Sequence, residues 1–169
     1  MSGDGRGCNT VMGRFDVDEL TRWADGSVKT IQATFEQHCE GASAAMFGRI
    51  RFEGPPPLQL GVALREEGFI ARKTIGATIR GTVSCSRGAF VDVSGTVTQV
   101  QAKGQVVRGT FATQVACTAP STDWSATAWP ETGGFAAGSA TATVDVSACE
   151  RRCYSASASR AVKLNVGGS

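Results

Sequence analysis

The chain has little of what catalytic and nucleic-acid-binding proteins are built from. It carries one histidine, His38, and one tyrosine, Tyr154. Any Ser-His-Asp or Cys-His chemistry would therefore rest on His38 alone. G-x-S-x-G, H-E-x-x-H and Walker motifs are all missing, which removes the common hydrolase, zinc-peptidase and nucleotide signatures. There is no C-x2-C pair to join that single histidine, so the spacing does not fit a structural zinc site. Seventeen Lys and Arg stand against fifteen Asp and Glu, leaving a net charge of +2 and no basic footprint for nucleic acid. No apolar run approaches the ~18 residues of a membrane-spanning helix. No segment sustains helical periodicity, which speaks against a helical architecture. The polar opening Met1-Ser2-Gly3-Asp4 has no apolar core of a signal peptide, so further sequence is expected upstream.

What the chain does have is glycine, twenty-one of them, with abundant Thr, Val, Ala and Ser, a turn-rich β composition. It also has six cysteines, and their placement is the strongest signal. Ile75, Ala77, Ile79, Gly81, Val83 and Cys85 occupy every second position, and so do Val107, Gly109, Phe111, Thr113, Val115 and Cys117. Alternate side chains of a strand share a face, so Cys85 and Cys117 should both enter one core and pair across it. Cys39 follows Ile31, Ala33 and Phe35 in the same manner, with Cys8 as its expected partner. Cys149 and Cys153 flank Glu150-Arg151-Arg152, a spacing that fits a hairpin tip closed by a disulfide. Three disulfides point to an oxidising, extracytoplasmic setting.

Residues 1–53 are expected to form a partial antiparallel β module. Its strands carry Val11, Gly13, Phe15 and Val17, then Ile31 to Cys39, then Met46, Gly48, Ile50 and Phe52, with a turn at Ala24-Asp25-Gly26-Ser27. Residues 18–24 could add a single helical turn, too short for a stable helix. Gly54-Pro55-Pro56-Pro57 is expected to be a stiff linker, since consecutive prolines lack N–H donors and favour extended backbone. Residues 58–169 read as strands near 58–64, 74–85, 89–100, 105–117, 123–129, 135–147 and 154–166. The pairs Gly81-Thr82, Gly95-Thr96 and Gly109-Thr110 recur every 14 residues, a strand plus a turn, as in a meander of hairpins. Core phases include Val91, Val93 and Val97, Ala140 to Val146, and Val162, Leu164 and Val166. The expected fold is all-β: the partial module, the linker 54–57, and a roughly seven-stranded immunoglobulin-like β-sandwich over 58–169, stapled by disulfides.

Gly3-Asp4-Gly5-Arg6-Gly7-Cys8-Asn9-Thr10, with Phe15-Asp16-Val17 and Ala33-Thr34-Phe35-Glu36-Gln37-His38-Cys39-Glu40, resembles a module of secreted bacterial proteins. That resemblance implies a β-sandwich whose first strands lie before the Gly-Arg-Gly-Cys-Asn stretch. Gly81-Thr82-Val83-Ser84-Cys85-Ser86, Val107 to Cys117 and Trp124-Ser125-Ala126-Thr127 resemble immunoglobulin-like domains of secreted actinobacterial proteins. Neither resemblance brings catalytic residues with it.

Five local features could carry chemistry. His38 beside Cys39 suggests a nucleophile pair, but neighbours on a strand point to opposite faces. Asp16, Asp18, Glu19 and Asp25 could approach Ca²⁺, though the full loop series is missing, so no metal is expected. The Gly3-x-Gly5-x-Gly7 stretch lacks the strand before and helix after that a phosphate loop needs. Trp124 and Trp129 lie on opposite phases, so one should be core and the other able to stack a sugar. Arg151 and Arg152 at the cysteine-flanked tip could meet an acidic partner. No cofactor is expected. The chain reads as a non-enzymatic, secreted or cell-surface binding or structural module of a bacterial protein. Its partners would be protein or polysaccharide, with self-assembly by strand addition at an open sheet edge. A carbohydrate-binding module using an exposed Trp is the alternative, and a hydrolase using His38 a distant third.

Overall fold

A computed structural model describes residues 2–3, 6–71, 74–150 and 152–167. The fold is all-β, and the only helical element among the described residues is a 3-10 turn at Ala102–Gly104. The chain divides into two compact units, residues 1–57 and 58–169.

The first unit holds a two-residue ladder of β1 (Ser2–Gly3) with β2 (Arg6–Gly7), and a separate antiparallel sheet. That sheet has the order β3 (Val11–Arg22), β4 (Val28–Cys39), β5 (Ala45–Glu53). The turn between β3 and β4 uses Gly26 at φ +81, and Asp25 Oδ1 accepts from the Ser27 amide at 2.9 Å. Such a left-handed residue is cheapest as glycine. The helical turn expected at 18–24 does not form; β3 runs on to Arg22. A bulge between Val17 and Glu19 makes Asp18 the extra residue. It restores the phase one position late, so Leu20, opposite Ile31, rejoins the face of Val17. Cys8 and Cys39 are bridged with Cα atoms 5.3 Å apart.

The second unit contains β6 (Leu60–Leu64), β7 (Glu67–Ile70), β8 (Ala77–Cys85), β9 (Ala89–Val100), β10 (Val106–Cys117), β11 (Ser121–Pro130), β12 (Gly138–Cys149) and β13 (Cys153–Val166). The hydrogen-bonded order β11-β10-β9-β12-β13-β7-β8 returns from β8 to β11, closing a ring of seven strands, with β6 alongside β8. The expected sandwich is thus a closed ring with unequal sides. Long ladders join β9 to β10, β9 to β12, β12 to β13 and β8 to β11. The corners are thin. β11 lies along β8 through Ser121 to Ala128 and meets β10 at its end, through Trp129 and Pro130, and β7 joins β13 in parallel through four residues. Cys85 and Cys117 lie buried at the ends of β8 and β10, bridged with Cα atoms 6.3 Å apart. Cys149 and Cys153 close the β12–β13 tip at 4.1 Å.

The core of this unit is mostly Val and Ala, which bury little area each, with one large exception. Phe111 and Trp124 stack at 5.7 Å between ring centroids, 20° from parallel. Each ring sits over the glycine opposite it on the neighbouring strand: Phe111 over Gly95, Trp124 over Gly81. The glycine-threonine repeat is thereby explained at two of its three positions, since a bare backbone leaves room for an aromatic ring. Two expected core residues lie outside it. Ile75 precedes β8 and Val166 ends β13, and both are exposed where their strands run out.

Candidate interaction surface

The sheet of the first unit is two-faced. Register places Val11, Gly13, Phe15, Val17 and Leu20 of β3 beside Cys39, Gln37, Phe35, Ala33 and Ile31 of β4. β5 continues that face with Met46, Gly48, Ile50 and Phe52. It carries no charged side chain. The opposite face carries Arg14, Asp16, Glu19, Gln32, Thr34, Glu36, His38, Arg49, Arg51 and Glu53. A sheet with one apolar and one polar face normally buries the apolar one against a second layer. Here only Ala33 of the apolar face is buried; Phe15 is 55% exposed, and Val11, Val17, Leu20, Met46, Ile50 and Phe52 are exposed as well. Exposed patches of this kind mark interaction sites. β3 and β5 each pair with β4 alone, leaving two open edges among the described residues.

The face is not flat. Phe35 leans over Gly48, whose missing side chain leaves the ring room. On the other side, Gly13 interrupts the row between Val11 and Phe15. The result is a hollow of about 390 Å³ lined by Val11, Gly13, Phe15, Phe35, Gln37 and Ile50, with Arg14 and Glu36 at its margin.

On the polar face, His38 has acceptors at both ring nitrogens: Glu36 Oε1 lies 2.9 Å from Nε2 and the Ala42 carbonyl 2.8 Å from Nδ1. Only the imidazolium donates to both, so the Glu36 hydrogen bond first, then the Ala42 carbonyl, raise the His38 pKa above its usual value. Cys39 is tied in its disulfide, so no free thiol stands beside His38. The acidic residues considered for calcium are dispersed. Asp16 pairs with Arg14 at 2.6 Å, Glu19 accepts from Gln32 at 2.8 Å, and Asp25 serves its own turn. No group of three or more metal-ligating side chains gathers among the described residues.

Of the two tryptophans, Trp124 is 4% exposed and belongs to the core stack. It cannot present a ring to a sugar, which corrects its place among the ligand-binding candidates. Its indole N–H is buried and has no hydrogen-bond partner among the described residues. Trp129, on the other phase of β11, is 57% exposed. At the β12–β13 tip, Arg152 is exposed, while Arg151 lies outside the described residues, as does Gly5 of the glycine-rich stretch. Glu150 is held by Arg87 through two contacts of 2.8 and 3.1 Å, which lowers the Glu150 pKa. The tip is thereby tied to the β8–β9 turn.

Sequence phase identified the residues of the apolar face but not its uncovered state. The available signal was that residues 1–53 supply three matched apolar phases and no second layer to cover them.

No protein-family model matches the chain, and no curated protein matches it. Among solved structures, it is similar to AggA, the major subunit of aggregative adherence fimbriae type I from Escherichia coli. The identity is 12% and the TM-score 0.37, over 66% of this chain and 96% of that one. A likeness of that size carries no argument here.

Proposed function

We propose that this chain is a non-catalytic, extracellular structural or binding module of a secreted or cell-surface bacterial protein, and that it works by assembly through its first unit. The observation that carries this reading is the three-stranded sheet with an uncovered apolar face and two open edges, whereas the strands of the second unit close on themselves. Another β element would complete that sheet, at an edge by strand addition or across the face by layer packing. The three disulfides support an oxidising compartment. The immunoglobulin-like reading of residues 58–169 rests on the bridge between β8 and β10 and the buried Trp124. In this reading the Pro-rich stretch 54–57 is the linker between the units. Sedimentation velocity over a range of concentrations tests the function: assembly predicts a mass above the 17.5 kDa of one chain, and a monomer throughout contradicts it.

The exposed indole of Trp129 favours a second reading, carbohydrate binding by ring stacking. Trp129→Ala should then abolish retention on an immobilised polysaccharide, and unchanged retention removes the reading.

A further inference from the structure

We infer that the apolar face of the β3-β4-β5 sheet is covered by the same face of a second copy of this chain. The inference rests on the assembly reading above and gives it one geometry: layer on layer, not edge to edge.

Three observations select a second copy. The first is size. At about 3.3 Å per residue and about 4.8 Å between strands, the twelve residues each of β3 and β4 and the nine of β5 make a face of about 520 Å². Two such faces together cover about 1,000 Å², the size that a specific interface requires. That area fits a reversible dimer better than an obligate one.

The second is charge. The face presents no ionisable side chain, while the reverse of the sheet presents many. A copy of itself meets it with no like-charge contact and no buried unpaired charge. Stacked on its polar side, the same sheet would have to desolvate Arg14, Asp16, Arg49 and Arg51.

The third is shape. Phe15 stands proud, and the hollow at Gly13 lies two residues away on the same strand. Consider a two-fold axis lying in the contact plane and crossing β3 between Gly13 and Phe15. It brings each Phe15 over the hollow of the other copy, making an isologous contact in which one knob and one hole are used twice. Val11, Phe35 and Ile50 are the apolar walls that receive the ring, with Gln37, Arg14 and Glu36 also lining the hollow. A central aromatic seated in an apolar pocket is the usual anchor of such an interface. The layers would then stack at the ordinary spacing of about 10 Å.

Two methionines read the geometry without altering the protein. Met46 lies on the apolar face and Met12 on the polar one, and both are exposed in the single chain. The experiment combines sedimentation equilibrium of the oxidised full chain with peroxide oxidation followed by peptide mass mapping. Face-to-face pairing predicts a monomer–dimer equilibrium in the micromolar range. Sulfoxide formation at Met46 should slow as protein concentration rises, with Met12 unaffected. Phe15→Asp should raise the dimer dissociation constant about 100-fold or more, the size of a lost central anchor. Phe47→Asp, 73% exposed on the opposite face, should leave it unchanged. A far-ultraviolet circular dichroism spectrum matching that of the parent confirms that the sheet is formed in each variant. A dimer in which Met46 stays open and Phe15→Asp has no effect means edge pairing; it overturns this inference and leaves the assembly reading standing. A monomer at all concentrations overturns both.

Discussion

Adding one methyl group at Gly81 tests the construction of the core most sharply. A Cβ there would lie 2.7 Å from both Cε2 and Cζ2 of the Trp124 indole. Ordinary carbon contacts run at about 3.5–4.0 Å, so the ring must retreat by about 1 Å. It has nowhere to go. Its other side stacks on Phe111, and Phe111 is itself seated over Gly95. The same Cβ would lie nearer still to the Ala63 carbonyl oxygen, which is backbone of the adjoining strand. Overpacking of a tight core costs about 1–3 kcal/mol, and a backbone neighbour that cannot give way sets the upper end here. Against this, alanine restricts the unfolded chain and returns about 0.4–1 kcal/mol. The net prediction is a loss of about 2 kcal/mol for Gly81→Ala, read from guanidinium unfolding as a lower midpoint with an unchanged slope. In the second unit that corresponds to a melting temperature about 8–16 °C lower, if scaling for a domain near 100 residues holds. Trp124→Phe placed in the Gly81→Ala background should recover part of the loss, because the smaller ring vacates the contested space. A neutral or stabilising Gly81→Ala would refute the seating of the indole on this glycine, and with it the reason for the glycine-threonine repeat.

The disulfides should differ in worth. The Cys85–Cys117 bridge closes a separation of 32 residues and the Cys149–Cys153 bridge only 4. Chain entropy then assigns about 4 and about 2 kcal/mol to paired Cys→Ser replacements, and equal effects would mean that loop length does not set the ordering. His38 gives a pH signature. Its folded pKa lies above the ordinary imidazole value, so the stability it adds is complete below about 6.5 and is lost as pH rises through the folded value. As the only histidine it can be followed alone by NMR titration, and Glu36→Gln should move its pKa down; no movement would contradict the hydrogen bond as the leading cause. Glu150 works in the opposite sense. Arg87 lowers its pKa, so its contribution is present above the ordinary carboxylate value and fades as pH falls through the folded one. Local protection of the β12–β13 tip should therefore drop in acid, and Arg87→Gln should remove that dependence.

Much of this architecture was legible in the chain because alternation is a local property. Val91, Val93 and Val97, or Ala140 to Val146, declare their face without reference to any partner, and so do Cys85 and Cys117. Phase also separated Trp124 from Trp129. What failed was non-local. β7 spans only Glu67–Ile70, too short to alternate convincingly, and its parallel pairing with β13 joins residues far apart in sequence. Without β7 the ring has no corner, and an open sandwich is the natural expectation. The bulge at Asp18 broke the period within β3 and made residues 18–24 resemble a helical turn. On the apolar face, periodicity stated which side chains stand together but not what lies above them. Coverage depends on whether a second layer exists, and the described residues of 1–57 supply one sheet of three strands besides the short β1–β2 ladder.

The joining of β8 to β10 is read most directly by non-reducing peptide mapping. The protein should be exported through an oxidising environment and alkylated before digestion. Linked peptides joining Cys8 to Cys39, Cys85 to Cys117 and Cys149 to Cys153, with no alkylated thiol, are the predicted result. Alkylation of Cys85 or Cys117 in the folded protein, or a different partner for either, would contradict it.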